Sequence, residues 1–365
     1  MDRKLRVAIM GGGGILGAHA PGYARLTDIC EVVAVAEADA SRHDRIKQLL
    51  GDVPIYPQYT DLYGLDGIDA VDILLPHYLH MPAAVGAAQK GWHVLCEKVM
   101  ARNVYECQQM IDACDKAGVA LVISHDRRYA GDWVSLKTIV DSGILGDILF
   151  WEMQHNQDVL TPENSWIRSA DNLGGGAIMS CLTHQIDALR WYGGEVDSVT
   201  CMTLAEPGRM EGECVGAVIA KMKSGAIANL TINWYTQCHS WLKPVTGGLW
   251  YEYNHVTGTK GEAYFMHGKG TYFKKRDADK ISGYDDKESG DFTKVDATYA
   301  ITGHQKCVEE FVKKARGEDA LILTPGSDTI KTVEVAEAAY LSETRGTTVR
   351  LPIQPVKWDD RIYMK

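Results

Sequence analysis

The sequence has no hydrophobic run long enough for a membrane span and no cysteine spacing typical of a metal centre. Its 9 cysteines are scattered over 365 residues without a C-x-x-C pair, so free thiols are expected. No stretch approaches the roughly 18 apolar residues of a transmembrane helix, and no signal-like segment follows the first charges. We therefore expect a cytoplasmic protein that has no membrane partner.

Basic residues and phenylalanine are also in short supply. Lys and Arg number 38 against 48 Asp and Glu, a net charge of -10, which argues against electrostatic binding of nucleic acid. Only 5 Phe accompany 9 Trp and 17 Tyr, so most aromatic rings carry a hydrogen-bonding group. With 45% hydrophobic and 24% charged residues, the composition is that of a globular protein, and the length indicates about two domains.

The pattern of elements changes along the chain. Strand-like runs at 5–10, 32–37, 70–75, 93–96 and 120–124 alternate with helical stretches at 18–25, 41–50, 81–90 and 105–117. This alternation is typical of βαβ units around a parallel sheet. Beyond residue 146 longer strands follow one another, and period-two alternation over 226–235 predicts an antiparallel sheet with one buried face. Helices are predicted at 304–316 and 327–344, before a strand at 348–352.

A glycine-rich turn, G-G-G-G-I-L-G, joins the first strand to a helix. Two frames fit G-x-G-x-x-G: one uses Gly12, Gly14 and Gly17, the other Gly11, Gly13 and, in place of the last glycine, Leu16. Such glycines let the backbone approach a pyrophosphate at the helix N-terminus. Glu37 ends the second strand, where a carboxylate binds ribose hydroxyls and repels a 2′-phosphate. This favours NAD over NADP, although Arg42 is near enough to weaken the preference.

Two further segments carry polar residues suited to chemistry. Lys98 follows the fourth strand, at the edge where open α/β sheets bind ligands, and can stabilise the alkoxide formed as hydride leaves a substrate. Ser180, His184 and Asp187 are spaced one turn apart on one predicted helix face. His184 is suited to take a hydroxyl proton, and Asp187 to orient a polyol. The alternative to a catalytic role for Lys98 is that Glu97 and Lys98 form an ordinary solvated pair on the surface. The alternative for His184 is a histidine that is hydrogen-bonded in the core.

The order of these motifs resembles that of the glucose-fructose oxidoreductase, inositol 2-dehydrogenase and rhizopine-catabolism family (Gfo/Idh/MocA), almost end to end. Residues 75–80 resemble its T-P-x-x-x-H loop beneath the nicotinamide, 91–101 its G-K-H-V-L-C-E-K-P-M-A, 126–129 its N-x-R-F, 166–168 its W-x-R, and 175–187 its G-G-x-x-x-D-x-x-x-H-x-x-D. Residues 257–262 and 341–352 complete the match. Two positions depart from the pattern: Val99 replaces a proline that often follows a cis bond, and Ser180 replaces the first aspartate beside His184.

The resemblance implies an α/β protein in which an N-terminal Rossmann dinucleotide-binding domain precedes a C-terminal α+β domain with a large, mostly antiparallel open sheet. We place these domains at 1–125 and 126–365, and the C-terminal segment is able to pack back on the first domain. Family members commonly oligomerise through the open sheet. A homo-oligomer of two, four or more chains is therefore expected.

The resemblance also assigns site residues. Lys98 and His184 are the expected catalytic pair, and which of them takes the proton stays open. Residues expected to bind NAD are Gly11, Gly13, Gly14, Ile15, Leu16, Glu37, Leu75, Pro76, His77, His80, Glu97, Lys98, Arg127, Trp166 and Arg168. Residues expected to bind substrate are Lys98, Tyr129, Trp166, Ser180, His184 and Asp187. No metal is expected.

The implied reaction is NAD-dependent oxidation of a secondary hydroxyl on a carbohydrate. An aromatic segment over 236–253, with His239, Trp241, Trp250, Tyr251 and Tyr253, favours a glycoside or bulky sugar, and C3 of a glucoside is the first expectation; rings that fill a subunit interface are the alternative. Three other functions stay open. They are glycoside cleavage by tightly bound NAD through a transient 3-oxo intermediate, an inositol dehydrogenase, and a non-catalytic NAD and sugar sensor.

Overall fold

The computed structural model of the chain describes residues 3–236, 250–276, 292–298 and 301–363. His239 and Trp241, two members of the predicted aromatic segment, lie outside these ranges. Among the described residues, no helix combines the length and the apolar character that crossing a membrane requires.

The N-terminal part forms a six-stranded parallel sheet with the strand order 3-2-1-4-5-6, the order of a dinucleotide-binding fold. Its strands are β1 (Leu5–Met10), β2 (Cys30–Ala36), β3 (Ile55–Tyr56), β4 (Ala70–Ile73), β5 (His93–Glu97) and β6 (Leu121–Ser124). Its helices are α1 (Leu16–Ala24), α2 (His43–Leu50), α3 (His77–Gln89) and α4 (Val104–Ala117). Alternate residues of β1 enter two different cores, Val7 and Ile9 on one side and Ala8 and Met10 on the other. Both faces of the sheet are therefore covered.

The second part is built on a nine-stranded sheet, ordered 14-13-12-11-7-10-9-8-15. Its strands are β7 (Ile148–Gln157), β8 (Val196–Ala205), β9 (Glu213–Met222), β10 (Ile227–Asn233), β11 (Trp250–Gly258), β12 (Gly261–Met266), β13 (Gly270–Lys275), β14 (Thr293–Val295) and β15 (Val349–Arg350). The helices of this part are α5 (Gly131–Asp141), α6 (Ala170–Leu173), α7 (Thr183–Gly193), α8 (Gly303–Ala315) and α9 (Gly326–Arg345). The predicted fold class is confirmed.

The central strand pair of this sheet departs from the predicted antiparallel pattern. β10 pairs antiparallel with β9 but parallel with β7, so the sheet is mixed. The predicted one-sided burial of this region is confirmed, because Ala228, Leu230 and Ile232 are buried while their neighbours are more exposed. Which strand lies beside β10 cannot be read from its own alternation, since period two is common to both kinds of pairing.

The C-terminal residues pack against the dinucleotide-binding part. Arg316, after α8, donates hydrogen bonds to the carbonyls of Arg3 (2.8 Å) and Ile29 (3.0 Å). The amide of Ile123 in β6 donates to Thr324 at 2.9 Å. The domain division at residue 125 and the homo-oligomer stay predictions.

A buried charge network ties α1 to the middle of the parallel sheet. Within it, His19 Nδ1 lies 2.8 Å from Asp72 Oδ2 and Nε2 lies 2.9 Å from Glu97 Oε1. The hydroxyl of Tyr23 donates to the same Asp72 oxygen at 2.9 Å. Burial would lower the pKa of His19, but the two carboxylates outweigh it and raise this pKa to about 10. His19 is therefore a buried cation at neutral pH.

We expect His19→Gln to lower the free energy of unfolding by about 3–5 kcal/mol, because it leaves buried carboxylates without their cation. The loss will be largest below pH 6.5 and will shrink as the pH rises towards about 10, where the folded wild type gives up its proton. Denaturant unfolding across this pH range measures it. His255→Gln is the matched control, since His255 makes a partly exposed pair with Glu262 and should lose no more than about 1 kcal/mol. Equal losses for the two variants would contradict the expectation.

Candidate active site

A cleft of about 760 Å³ opens at the carboxyl ends of the parallel strands, where open α/β sheets bind ligands. Its walls come from both parts of the chain: the glycine turn, the ends of β2, β4 and β5, and two segments that precede α7. Twelve of the residues predicted from the sequence to bind ligands line the cleft: Gly11, Gly13, Gly14, Ile15, Glu37, Leu75, Pro76, His77, Glu97, Lys98, Trp166 and Ser180.

The glycine turn is shaped for close approach. Gly11 has a φ of +109°, and a Cβ added there would lie 2.4 Å from the carbonyl oxygen of Leu74, so a side chain is excluded. At Gly14 an added Cβ would meet nothing within 4 Å, although this residue lines the cleft. The guanidinium of Arg45 donates to the carbonyls of Gly13 (3.0 Å) and Gly14 (3.2 Å). The open space over Gly14, at the start of α1, fits a dinucleotide pyrophosphate.

Glu37 stands just beyond β2, and only 8% of its surface is exposed. One carboxylate oxygen accepts the Gly12 amide and the other the Asp39 amide, both at 2.8 Å. Arg42 Nη1 lies 3.3 Å from Oε2 and also lines the cleft. The acid expected to bind ribose is therefore in place, with the expected arginine beside it.

The segment predicted as a loop beneath the nicotinamide is partly helical, because α3 begins at His77 rather than at residue 81. His77 Nδ1 donates to the Leu173 carbonyl at 2.8 Å, and its ring meets the Trp166 ring edge-on at 4.9 Å. His80 does not reach the cleft. It is fully buried, with its ring nitrogens 2.8 Å from the Val99 carbonyl and 2.7 Å from the Leu75 carbonyl.

Lys98 joins the two parts of the chain inside the cleft. Its Nζ donates to the carbonyl of Ser180 at 2.7 Å, and both residues line the cleft. The Lys98–Val99 peptide bond is cis, so the bond has the cis form often found in the family even though Val99 replaces the proline. The Lys98 side chain is therefore held at the wall of the cleft.

Ser180 and His184 do not share one regular helix face. Residues Ile178–Leu182 form a π-helical turn, and α7 begins only at Thr183. Side chains hold this turn: the Ile178 amide donates to Glu213 Oε1 at 2.8 Å and the Met179 amide to the Tyr340 hydroxyl at 3.2 Å. The predicted spacing of one α-helical turn is therefore wrong for Ser180.

His184 is a nearly buried imidazole, 6% exposed. Burial, followed by the nearby cations Arg127 and Lys98, holds its pKa well below the usual 6.5. The ring is thus neutral at physiological pH, as a proton acceptor must be. Among the described residues its Nδ1 has no hydrogen-bond partner, and Asp126 Oδ1 lies 3.9 Å from it.

The sequence reasoning missed a pair of residues beside His184. The ring of His155, in β7, stacks on His184 with a centroid distance of 6.1 Å. His155 is also paired with Cys181, and although burial opposes it, this pairing lowers the pKa of the Cys181 thiol to about 7. No motif marks either residue, because only the packing of β7 against the π-helical turn brings them together.

Several predicted ligand-binding residues lie away from the cleft. Asp187 accepts two hydrogen bonds from Arg128, at 2.7 and 2.8 Å, so its carboxylate is already paired. The buried hydroxyl of Tyr129 accepts the Leu323 amide at 2.8 Å. Neither residue is among those that line the cleft, and their substrate contacts stay predictions.

Three residues predicted to bind the cofactor are likewise used elsewhere. Leu16 is fully buried in the core beside β1. Arg127 donates to Asp126 (2.6 Å) and Glu252 (3.1 Å). Arg168 donates to the Gly208 carbonyl at 2.7 Å. None of these three residues is among those that line the cleft, and their contacts with the cofactor stay predictions.

One group of described residues has ligand atoms close enough to share a metal ion: His19, Glu97 and His304, within 4.8 Å of one another. The 2.9 Å contact between His19 and Glu97 is a hydrogen-bond distance, and the charged state of His19 leaves it no lone pair to offer. The ion pair explains the cluster. The expectation of no metal stays a prediction.

Two family models match the chain. Residues 5–125 match the oxidoreductase family with an NAD-binding Rossmann fold, and residues 133–264 match the GFO/IDH/MocA C-terminal domain. Inositol 2-dehydrogenase of Salmonella typhimurium is 31% identical over 189 residues, 51% of this chain and 54% of the relative. Levoglucosan dehydrogenase of Pseudarthrobacter phenanthrenivorans is 27% identical over 216 residues, 55% and 54% of the two chains. The chain spans about half the length of the curated relatives it matches.

Solved structures show the same fold. Levoglucosan dehydrogenase in complex with NADH and levoglucosan superposes with a TM-score of 0.80 at 20% identity, covering 96% of this chain and 100% of the other. The WlbA dehydrogenase of Bordetella pertussis in complex with NADH and UDP-GlcNAcA gives 0.79 at 22% identity, with the same coverage. At these identities the likeness concerns the fold alone.

We expect Gly14→Ala to weaken NAD binding at least about tenfold, or about 1.4 kcal/mol, because the methyl group fills the space over the glycine turn. Its thermal midpoint should equal that of the wild type, since nothing lies within 4 Å of the added atom. Titration calorimetry with NAD measures the affinity. Gly64→Ala, an equally open site outside the cleft, is the control. An unchanged affinity for Gly14→Ala would show that the dinucleotide lies elsewhere.

Proposed function

Because the chain belongs to the GFO/IDH/MocA oxidoreductase family, we propose that it oxidises a secondary ring hydroxyl of a sugar or glycoside to an oxo-sugar, with NAD as the hydride acceptor. C3 of a glucoside is the first position to test. The observation that carries the proposal is the hydrogen bond from Lys98 Nζ to the Ser180 carbonyl at 2.7 Å, in a cleft that also contains the glycine turn and Glu37.

Bound NAD supplies the hydride acceptor, and the glycine turn, Glu37 and the Trp166 side of the cleft are the residues that would hold it. The carbon to be oxidised loses a hydride, and its hydroxyl loses a proton to His184 or Lys98. If His184 takes the proton, the Lys98 ammonium group donates a hydrogen bond to the oxygen as negative charge develops on it. If Lys98 takes the proton, it enters the step as the neutral amine and becomes the ammonium group. His184 is ready to accept the proton, because its lowered pKa keeps the ring neutral. The products are the oxo-sugar, NADH and one proton.

The carbohydrate preference rests on the relatives rather than on the predicted aromatic segment. Among the described residues, the cleft wall contains Trp166 but not Trp250, Tyr251 or Tyr253. Trp250 instead packs edge-on against His267 at 4.9 Å. The similar proteins carry the names of dehydrogenases for inositol and levoglucosan, both polyhydroxylated rings, so the proposed substrate class is a ring of this kind.

An inositol is the second candidate substrate, favoured by the 31% identity to inositol 2-dehydrogenase. Incubating the purified protein with NAD and a panel of glucosides, aldoses and inositols, while following both NADH and carbohydrate products, separates the candidates. Formation of a 3-oxo-glucoside with equimolar NADH supports the proposal. Oxidation of inositols alone, cleavage of the glycosidic bond without net NADH, or NAD binding without any product each contradicts it.

We expect Lys98→Ala to lower kcat for the oxidised substrate by about 10²- to 10⁴-fold, the usual range for a group that assists proton transfer. NAD affinity should change much less, because the ammonium group serves the reacting hydroxyl. Initial rates of NADH formation measure the effect. Lys90→Ala, just after α3 and exposed, is the control and should leave the rate unchanged. Full activity in Lys98→Ala would overturn the assigned role.

We expect Glu37→Ala to shift the cofactor preference from NAD towards NADP. The change removes the acceptor proposed for the ribose hydroxyls and releases Arg42 Nη1, which lies 3.3 Å from Glu37, to bind a 2′-phosphate, while Arg42 Nε keeps its contact with Asp39 at 3.3 Å. The ratio of kcat/KM for the two cofactors should fall by at least about tenfold, or about 1.4 kcal/mol. Glu31→Gln, on the exposed side of β2, should keep the wild-type ratio. Identical ratios in both variants would disprove the role of Glu37.

A further inference from the structure

We propose that Asp126 is a positioning residue for the catalytic base, the carboxylate that fixes the ring orientation and tautomer of His184. This inference rests on the proposed function, in which His184 takes part in proton transfer. Its geometric basis is a pair of buried atoms: among the described residues, His184 Nδ1 and Asp126 Oδ1 both lack a hydrogen-bond partner, and they lie 3.9 Å apart. Nδ1–H can donate and Oδ1 can accept, so each is the partner that the other lacks once the distance closes.

The other oxygen of Asp126 is firmly held. Arg127 Nη1 donates to Oδ2 at 2.6 Å, and His304 Nδ1 lies 3.3 Å from it. Asp126 begins the 3-10 turn Asp126–Tyr129, directly beyond β6. Gly303 packs on this turn so closely that an added Cβ would lie 2.1 Å from the Asp126 carbonyl oxygen. With one oxygen and the backbone fixed, Oδ1 is left to face the imidazole.

Asp126 supplies what Ser180 lacks. Ser180 stands where the resembling family has an acid one turn before the histidine, but its own carbonyl accepts Lys98 and its hydroxyl lies 3.6 Å from Cys181 Sγ. The carboxylate of Asp126 approaches the same ring from the turn that follows β6. The separation of 3.9 Å exceeds a hydrogen bond and closes by a small rotation of the ring, as catalytic hydrogen bonds commonly tighten when substrate binds.

The consequence is a defined tautomer. When Nδ1–H donates to Asp126, the lone pair of His184 lies on Nε2, the nitrogen left to accept the substrate proton. The negative charge of Asp126 then stabilises the imidazolium that forms. Of the other charged or titratable groups around the ring, Arg127, Lys98 and His155 lower the pKa of His184 and Glu252 raises it. A carboxylate hydrogen-bonded to Nδ1 would add to the effect of Glu252 and help His184 hold a proton during turnover.

Three variants test the assignment: Asp126→Asn, Ser180→Asp and the double variant. Asn keeps the size of the side chain and removes the charge. We expect Asp126→Asn to lower kcat about 10²-fold with NAD affinity and KM nearly unchanged. Ser180→Asp in the same chain should restore at least about a tenth of the lost rate, because the family has its acid at this position, four residues before the histidine.

A second readout needs no substrate. Nitrogen-15 spectra of histidine-labelled protein, with His184→Gln to assign the signal, report the tautomer and the pKa of His184 directly. In the wild type we expect the proton on Nδ1; in Asp126→Asn we expect the two tautomers to mix and the pKa to fall. A wild-type His184 protonated on Nε2 would overturn the proposal even if the enzyme is active. If wild-type His184 carries its proton on Nδ1 but the protein oxidises no carbohydrate, the proposed function is refuted and the pairing of His184 with Asp126 stands.

A merely structural role for Asp126, through its ion pair with Arg127, gives a different result. In that case Asp126→Asn would lower the thermal midpoint and the NAD affinity together with kcat, and Ser180→Asp would restore none of them. Unchanged kcat and unchanged spectra in Asp126→Asn would also refute the assignment.

Discussion

The arrangement of the cleft depends on one buried cation. His19 lies between Asp72 of β4 and Glu97 of β5, with both contacts under 3 Å, and it belongs to the helix that begins at the glycine turn. The interaction therefore fixes the distance between the glycine turn and β5, the strand directly before Lys98. Such a pair is costly to bury unless both charges stay satisfied, so the three elements are forced to keep one relative position. The placement of Lys98 follows from that constraint.

The second part of the chain completes the cleft by bringing polar groups to the ends of these strands. The Ser180 carbonyl receives Lys98, and Trp166 meets His77. His184 is not among the residues that line this cleft; its ring stacks on His155 and lies near the Asp126 carboxylate. Neither part holds the proposed catalytic pair alone, because Lys98 comes from the parallel sheet and His184 from α7. A rigid contact between the two parts is thus a condition for hydride and proton transfer in one place.

The sequence was sufficient for the local elements and for residues whose role follows from position along one strand. Glu37 and Lys98 each follow the last residue of a parallel strand, and ligands of open α/β sheets bind at the edge where such strands end. It was insufficient where a role depends on a partner from another element. Nothing in the sequence shows that Arg128 pairs with Asp187, and His155 and Asp126 come near His184 only through tertiary packing. The π-helical turn could not be predicted for the same reason, since Glu213 and Tyr340, which accept hydrogen bonds from its amides, are distant in sequence.

Arg45 has an effect on the glycine turn that extends to binding kinetics. Its guanidinium draws the carbonyl oxygens of Gly13 and Gly14 towards α2. In a planar trans peptide the N–H points away from the carbonyl, so the amides of Gly14 and Ile15 are turned in the opposite direction. The turn therefore holds its anion-binding amides in place before any ligand arrives, and little conformational entropy remains to be lost on association. A dinucleotide would meet a rigid receptor, with its residence time governed by contacts and not by reordering of the loop.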